Sequence, residues 1–271
     1  MTTLSPPLAS AGKAHPHLRD VVRAELTKFR SLRSSYWSIA ATAVVTIGLA
    51  ILITQSEVGS YAGLSPAEQA AFDGTSVSLA GLLLGQLAIG VLGVLAITSE
   101  YSTGLIRISL AAVPHRRTFL AAKAAVVGGV ALIAGTAISF AAFGIGQAIL
   151  NQQHIGDSLG DPGVARAVLG GGLYVAVIAV IGLGLGAVIK HTAGTTVALV
   201  GLVFLAPMLM DALPASWDAV TDWTLPAAGQ ALATAGESAG VLSPGRGLLV
   251  CLIWVVGSLV AGAYAMTRRD A

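Results

Sequence analysis

Charge is scarce in this sequence, and the residues able to act on another molecule gather in one stretch, EYSTGLIRISLAAVPHRRTFLAAK, residues 100–123. Glu100, Arg107, His115, Arg116, Arg117 and Lys123 supply its charged and titratable groups, and Tyr101, Gly104 and Pro114 punctuate it. Side chains of these types form ion pairs, cap helices and grip carboxylates or lipid phosphates. They do not make a catalytic set, and none appears elsewhere. No GxxxxGK[ST] stretch is present to cradle a nucleotide phosphate, no HExxH to hold zinc and no GxSxG to present a serine. His15, His17, His115, His154 and His191 are scattered without metal-ligand spacing. The run from Gly182 to Ala187 imitates a dinucleotide turn, but it lies inside an apolar segment with no strand before it. Gly182 and Gly186, like Gly81 and Gly85, read instead as small-residue contacts between helices. The expectation is a chain that is not an enzyme and has no cofactor or metal of its own.

The elements that position these residues follow from composition. Of 271 residues, 55% are hydrophobic and 10% charged, with mean hydropathy +0.82. Soluble domains carry about 25% charged residues, so the fold class is an all-α polytopic membrane protein. About 20 apolar residues cross a bilayer, and six transmembrane helices are expected near 36–53, 77–98, 124–150, 167–189, 192–210 and 247–266. Residues 1–17 read as a disordered cytoplasmic tail and 18–271 as a single transmembrane domain without internal repeats. The single cysteine, Cys251, can form no internal disulfide and reads as a small apolar residue facing lipid or a neighbouring helix. Six spans put both termini on one side, together with residues 100–123 and Lys190. That side then holds thirteen of the fifteen Lys and Arg residues, and only Arg166 and Arg246 fall opposite. The positive-inside rule places the termini and the basic loop in the cytoplasm of a multi-pass cell-membrane protein.

Before the first span, Leu18, Val22, Phe29, Leu32 and Tyr36 fall on one face at roughly 100° per residue, with Val21 and Leu26 at its margins. Arg19, Arg23, Arg30 and Arg33 gather beside that face, and Lys28 flanks it. This is a basic amphipathic elbow helix suited to a headgroup layer. Glu25 points into its apolar face, either reaching water at the interface or pairing with a base of the 100–123 loop. Residues 211–246 hold Pro214, Trp217, Trp223 and Pro226 and are too broken to cross; they read as short interfacial or re-entrant helices before the sixth span. No span holds Asp, Glu, Lys or Arg near its centre, which disfavours an ion-coupled carrier. Gln86 and Gln147 are the long polar side chains at depth, and each is either a helix–helix hydrogen bond or a contact on a substrate path. Pro207 should kink the fifth span. Gln86, Gly90, Phe204, Pro207 and Met208 are the candidates for lining such a path.

The order of elbow, two spans, basic loop and four spans, with broken helices before the last, resembles the permease subunits of ATP-binding-cassette exporters, the ABC type-2 permeases. Arg23-Ala24-Glu25-Leu26-Thr27-Lys28-Phe29-Arg30-Ser31 is similar to the elbow of actinobacterial members. Ser99-Glu100-Tyr101-Ser102-Thr103-Gly104, then Ala112-Val113-Pro114-His115-Arg116-Arg117 and Ala122-Lys123, resembles their stretch between the second and third spans. The resemblance covers nearly the whole chain after the tail, except the outer loops. It implies a cytoplasmic coupling helix within residues 100–123 seated on a separate cytoplasmic ATPase, with ATP and Mg bound by that partner. It also implies a second permease, identical or related, a membrane lipid environment and no nucleic acid. The implied function is export of an apolar or amphipathic substrate such as a drug, peptide or lipid. The alternative is a membrane anchor or sensor subunit that moves nothing.

Overall fold

The structure, a computed structural model, describes residues 17–212, 218–236 and 242–269. The expected tail up to Pro16, together with Pro214, Trp217 and Asp270, lies outside the described residues. Helix α1 (Leu18–Ser31) ends where Leu32 adopts extended backbone, and α2 (Arg33–Tyr61) begins at once. A rise of about 1.5 Å per residue makes α2 longer than the roughly 30 Å hydrocarbon layer. The outer connection carries α3 (Pro66–Ala70), closed by a capping box in which the Ser65 hydroxyl accepts from Glu68 N and the Glu68 carboxylate accepts from Ser65 N. Asp73 caps α4 (Gly74–Leu79), which runs into α5 (Leu82–Ser102) as one span with a break at Ala80 and Gly81.

Gly104 lies in the left-handed region, with φ 73°, where a side chain is disfavoured. It turns the chain into α6 (Leu105–Ala112), and Pro114 separates α6 from α7 (Arg116–Leu150). A 3₁₀ turn, Asn151–Gln153, leads to α8 (Val164–Ile189). Lys190 in left-handed backbone and His191, which accepts from Gly194 N, make the tight turn into α9 (Thr192–Val200). A π-helical turn, Gly201–Leu205, joins α9 to α10 (Ala206–Asp211). Pro207 has no N–H and its ring crowds the preceding turn, so the expected kink takes the form of this widened turn. Then come α11 (Asp218–Thr221), α12 (Leu225–Ala233) and α13 (Pro244–Arg269).

Six helical segments are long and apolar enough to cross a membrane: Arg33–Tyr61, Gly74–Ser102, Arg116–Gln153, Val164–Ile189, Thr192–Met210 and Pro244–Arg268. Each of the first three extends beyond the stretch expected from hydropathy, because polar residues continue those helices past the apolar core. Among the described residues there is no strand. Helix α8 is the central post, with 78% of its apolar window buried against 22% for α2 and 17% for the fifth span. It packs on α5, α7, α12 and α13.

Lipid offers apolar side chains nearly the same environment as protein, so these helices associate by close packing. A Cβ at Gly93 would come within 1.8 Å of the Ala179 carbonyl oxygen, and one at Gly182 within 2.5 Å of the Gly90 carbonyl, so α5 and α8 meet backbone to backbone. Gly81 and Gly85 bring the second span equally close to Thr46 of α2. Cys251 is buried against the cluster containing Tyr174, Ile178 and Leu225, so it faces neighbouring helices. Helix α12, in the stretch expected to hold short interfacial or re-entrant helices, buries Leu225, Ala228, Ala231 and Leu232 and packs against α8 and α13.

Candidate functional site

Where α1 crosses the ends of α5 and α7, four charged side chains close a ring. Lys123 Nζ donates to Glu25 Oε2 at 2.6 Å and to Glu100 Oε1 at 2.8 Å. Lys28 Nζ donates to the same Glu100 Oε1 at 2.8 Å and to Glu25 Oε1 at 3.1 Å, with Ser109 Oγ of α6 at 3.3 Å. Acid and base alternate, so each charge has two opposite neighbours. Glu25, Glu100 and Lys123 are buried, while Lys28 reaches partly to solvent. Burial works against the Lys28 charge, but its hydrogen bond to Glu100 and the charges of Glu25 and Glu100 outweigh it and hold the ammonium above the ordinary lysine range. Lys123 also lies 5.1 Å from the centre of the Phe119 ring.

The local sequence explains the arrangement. On α1 the buried stripe is Val21, Glu25 and Phe29, so the acid sits between two apolar anchors. Of the apolar face expected for the headgroup layer, Leu18 and, beyond the helix, Leu32 and Tyr36 are exposed, as is Leu26 at its margin. A buried carboxylate must find a partner, and Glu25 finds it in Lys28 and Lys123. Of the bases in the loop it is Lys123 that pairs with Glu25. Arg107 and Arg117 are exposed, and the Arg116 guanidinium donates to the Met266 carbonyl near the end of α13. Arg116 and Arg117 occupy a helix start, which the helix dipole disfavours for cations, so contacts made there must supply the compensation.

Helix α6 connects α5, which carries Glu100, to α7, which carries Lys123. Ile106 is buried, whereas Leu105 and Ile108 are 49% and 68% exposed, and Arg107 shares their outward side. His115 and Pro114 are exposed, and Tyr101 is half-buried beneath Lys190, whose Nζ lies 5.2 Å from its ring centre. On the elbow, Arg23, Arg30 and Arg33 are exposed while Glu25 and Lys28 turn inward.

The five residues proposed for a path are only partly brought together. Gln86 and Pro207 line one cavity at the other end of the bundle. Gly90 is instead packed against Leu199 and Ile178, Phe204 packs on the central apolar cluster, and Met208 is 71% exposed. Gln147 is structural: its amide nitrogen donates to the Gly74 carbonyl and Ser78 Oγ, and its oxygen accepts from Asp157 N. Sequence reasoning missed Tyr174, which lines the same cavity as Gln86; a lone hydroxyl within an apolar run was the only signal. Among the described residues no group of acids, histidines or cysteines could hold a metal ion.

Six helices long and apolar enough to cross a membrane, preceded by a basic amphipathic helix, define a multi-pass membrane protein. The family model described as "ABC-2 family transporter protein" matches residues 21–207, from the elbow through the fifth span, and the chain belongs to that family as a membrane permease component of an ABC transporter. The search of curated proteins found no match.

Proposed function

We propose that this chain is the permease of an ATP-driven exporter, moving an apolar or amphipathic substrate across the cell membrane with a separate cytoplasmic ABC ATPase that binds ATP and Mg. The observation that carries this reading is the ion ring joining α1, α5 and α7, with α6 hydrogen-bonded to it through Ser109. A load applied to α6 is held by two spans and the elbow at once, which suits a lever driven by rigid-body closure of an ATPase. Leu105, Arg107 and Ile108 form its outward face, and Arg117 adds a cation for ATPase carboxylates. Arg23, Arg30 and Arg33 are placed for lipid phosphates. The charge asymmetry supports cytoplasmic termini, and the exposed apolar faces of α2 and α9 suit lipid or a second permease, identical or related.

Paired substitution Ile108→Asp and Arg117→Glu tests the coupling face. Both side chains are exposed, so the purified permease should insert and melt as wild type, while recovery of the ATPase and of ATP hydrolysis falls at least about tenfold, the equivalent of about 1.4 kcal/mol. Arg116 is unsuitable for this purpose because it anchors α13. Unchanged ATPase recovery contradicts the assignment. Hydrolysis that no apolar or amphipathic compound stimulates favours the anchor or sensor reading.

A further inference from the structure

At the end of the bundle remote from the ion ring, a cavity of about 520 Å³ opens between α4, α5, α8, α10 and α12. Pockets for drug-sized molecules span roughly 300–1,000 Å³, so it is large enough for one. Much of its wall is apolar, with Leu79, Leu82, Pro207 and Leu242 among the lining residues. Two side chains in the wall break that pattern. The Gln86 amide nitrogen donates to the Leu83 carbonyl of its own helix at 2.7 Å, leaving Oε1 as a buried acceptor with no partner. The Tyr174 hydroxyl is likewise buried and unpartnered. Its ring is held against α12, where a Cβ on Gly229 would come within 2.5 Å of ring carbon Cζ.

An orphaned buried polar atom costs stability that an apolar replacement would recover. Two in one cavity are explained when a visiting molecule completes them. What they lack constrains the chemistry. Gln86 Oε1 can only accept, so the visitor must donate there, and the tyrosine hydroxyl can accept a second hydrogen while its own O–H is left to water or a neighbouring acceptor. The wall also presents the Asp222 carboxylate. Its partner Arg246, 3.5 Å away and 65% exposed, is not part of the lining, so the lining residues offer a visiting cation an acid and no base.

We propose that this cavity, inside a single permease, binds amphipathic molecules whose polar end is a hydrogen-bond-donating ammonium group, received by Gln86 and Tyr174. The proposal rests on the transporter reading and narrows its substrate class.

The test uses the full chain in lipid nanodiscs without any ATPase. The probes are decylammonium, decyltrimethylammonium, which has the same charge but no N–H, and decanoate. Saturable binding and the shift in unfolding temperature are measured for wild type, Gln86→Met and Tyr174→Phe. Wild type should bind decylammonium at least about tenfold tighter than its trimethyl analogue, and should not bind decanoate. Each variant should lose at least about tenfold in decylammonium affinity yet melt, without probe, at or above the wild-type temperature. Equal affinity in wild type and variants, absence of saturable binding, or variants that melt below wild type each overturns the proposal. Such a failure leaves the ATPase partnership standing, whereas intact binding in a chain that recovers no ATPase sinks the transporter reading alone.

Discussion

At the scale of single residues, the ring of Glu25, Lys28, Glu100 and Lys123 places three buried charges among the described residues. Taking ions out of water is expensive, and a buried pair breaks even only with good geometry. Here both Glu25 oxygens are used and Glu100 Oε1 accepts twice, while Glu100 Oε2 has no partner. Removing one member leaves an uncompensated charge. Lys123→Met should therefore destabilise the permease by about 3–5 kcal/mol. Glu25→Leu combined with Lys123→Met should cost well under the sum of the single changes. Unfolding temperatures in a double-mutant cycle measure the difference, and strict additivity contradicts a direct Glu25–Lys123 interaction. Part of this was legible in the sequence: an acid on the apolar face of a basic helix demands a cation, and the 100–123 loop offered several. Which one was not legible, because Arg107, Arg116 and Lys123 differ only in how α6 and α7 turn them. Lys28 read as a flank residue, since its role depends on how α1 meets Glu100 of α5. Tyr174 was invisible for a similar reason, as its environment is made by Gly229 far along the chain.

Among the elements, glycine decides how closely helices approach. The backbone contact of Gly93 with Ala179 leaves no space for a methyl group, whereas nothing lies within 4 Å of a Cβ on Gly129 of α7. Gly93→Ala should lower the unfolding temperature by several degrees and reduce the yield of folded protein. Gly129→Ala should leave both unchanged or slightly improved, as alanine is favoured over glycine in a helix by about 1 kcal/mol. Equal effects of the two changes on thermal melting would argue against the α5–α8 contact. The glycine pairs were legible as contacts because their spacing repeats on one helix face, but the partner helix was not. Pro207 likewise announced a disturbance in the fifth span. That it appears as a π turn depends on the local hydrogen-bond register, which composition does not encode. Residues 211–246 read as short interfacial or re-entrant helices because tryptophan and proline interrupt them; that α12 buries a stripe of leucine and alanine against α8 and α13 was not legible, because the sequence pattern does not name the helices it meets.

For the whole molecule, span count was the most legible property, since bilayer thickness sets the length of each apolar run. Lateral order was hidden, because every span is apolar all round and hydropathy does not distinguish the central α8 from the peripheral α2. The resulting molecule has an ion-locked loop at one end and a cavity with unmet hydrogen-bonding groups at the other, joined by α5 and α8 packed backbone to backbone. The measurement closest to the central claim is purification of the chain from its own membrane in mild detergent, with identification of what accompanies it and assay of ATP hydrolysis. An ABC ATPase in about equal amount, with hydrolysis in the purified material, is the result this account predicts. A chain that emerges alone and without hydrolysis would contradict the exporter and leave an anchor or sensor in its place.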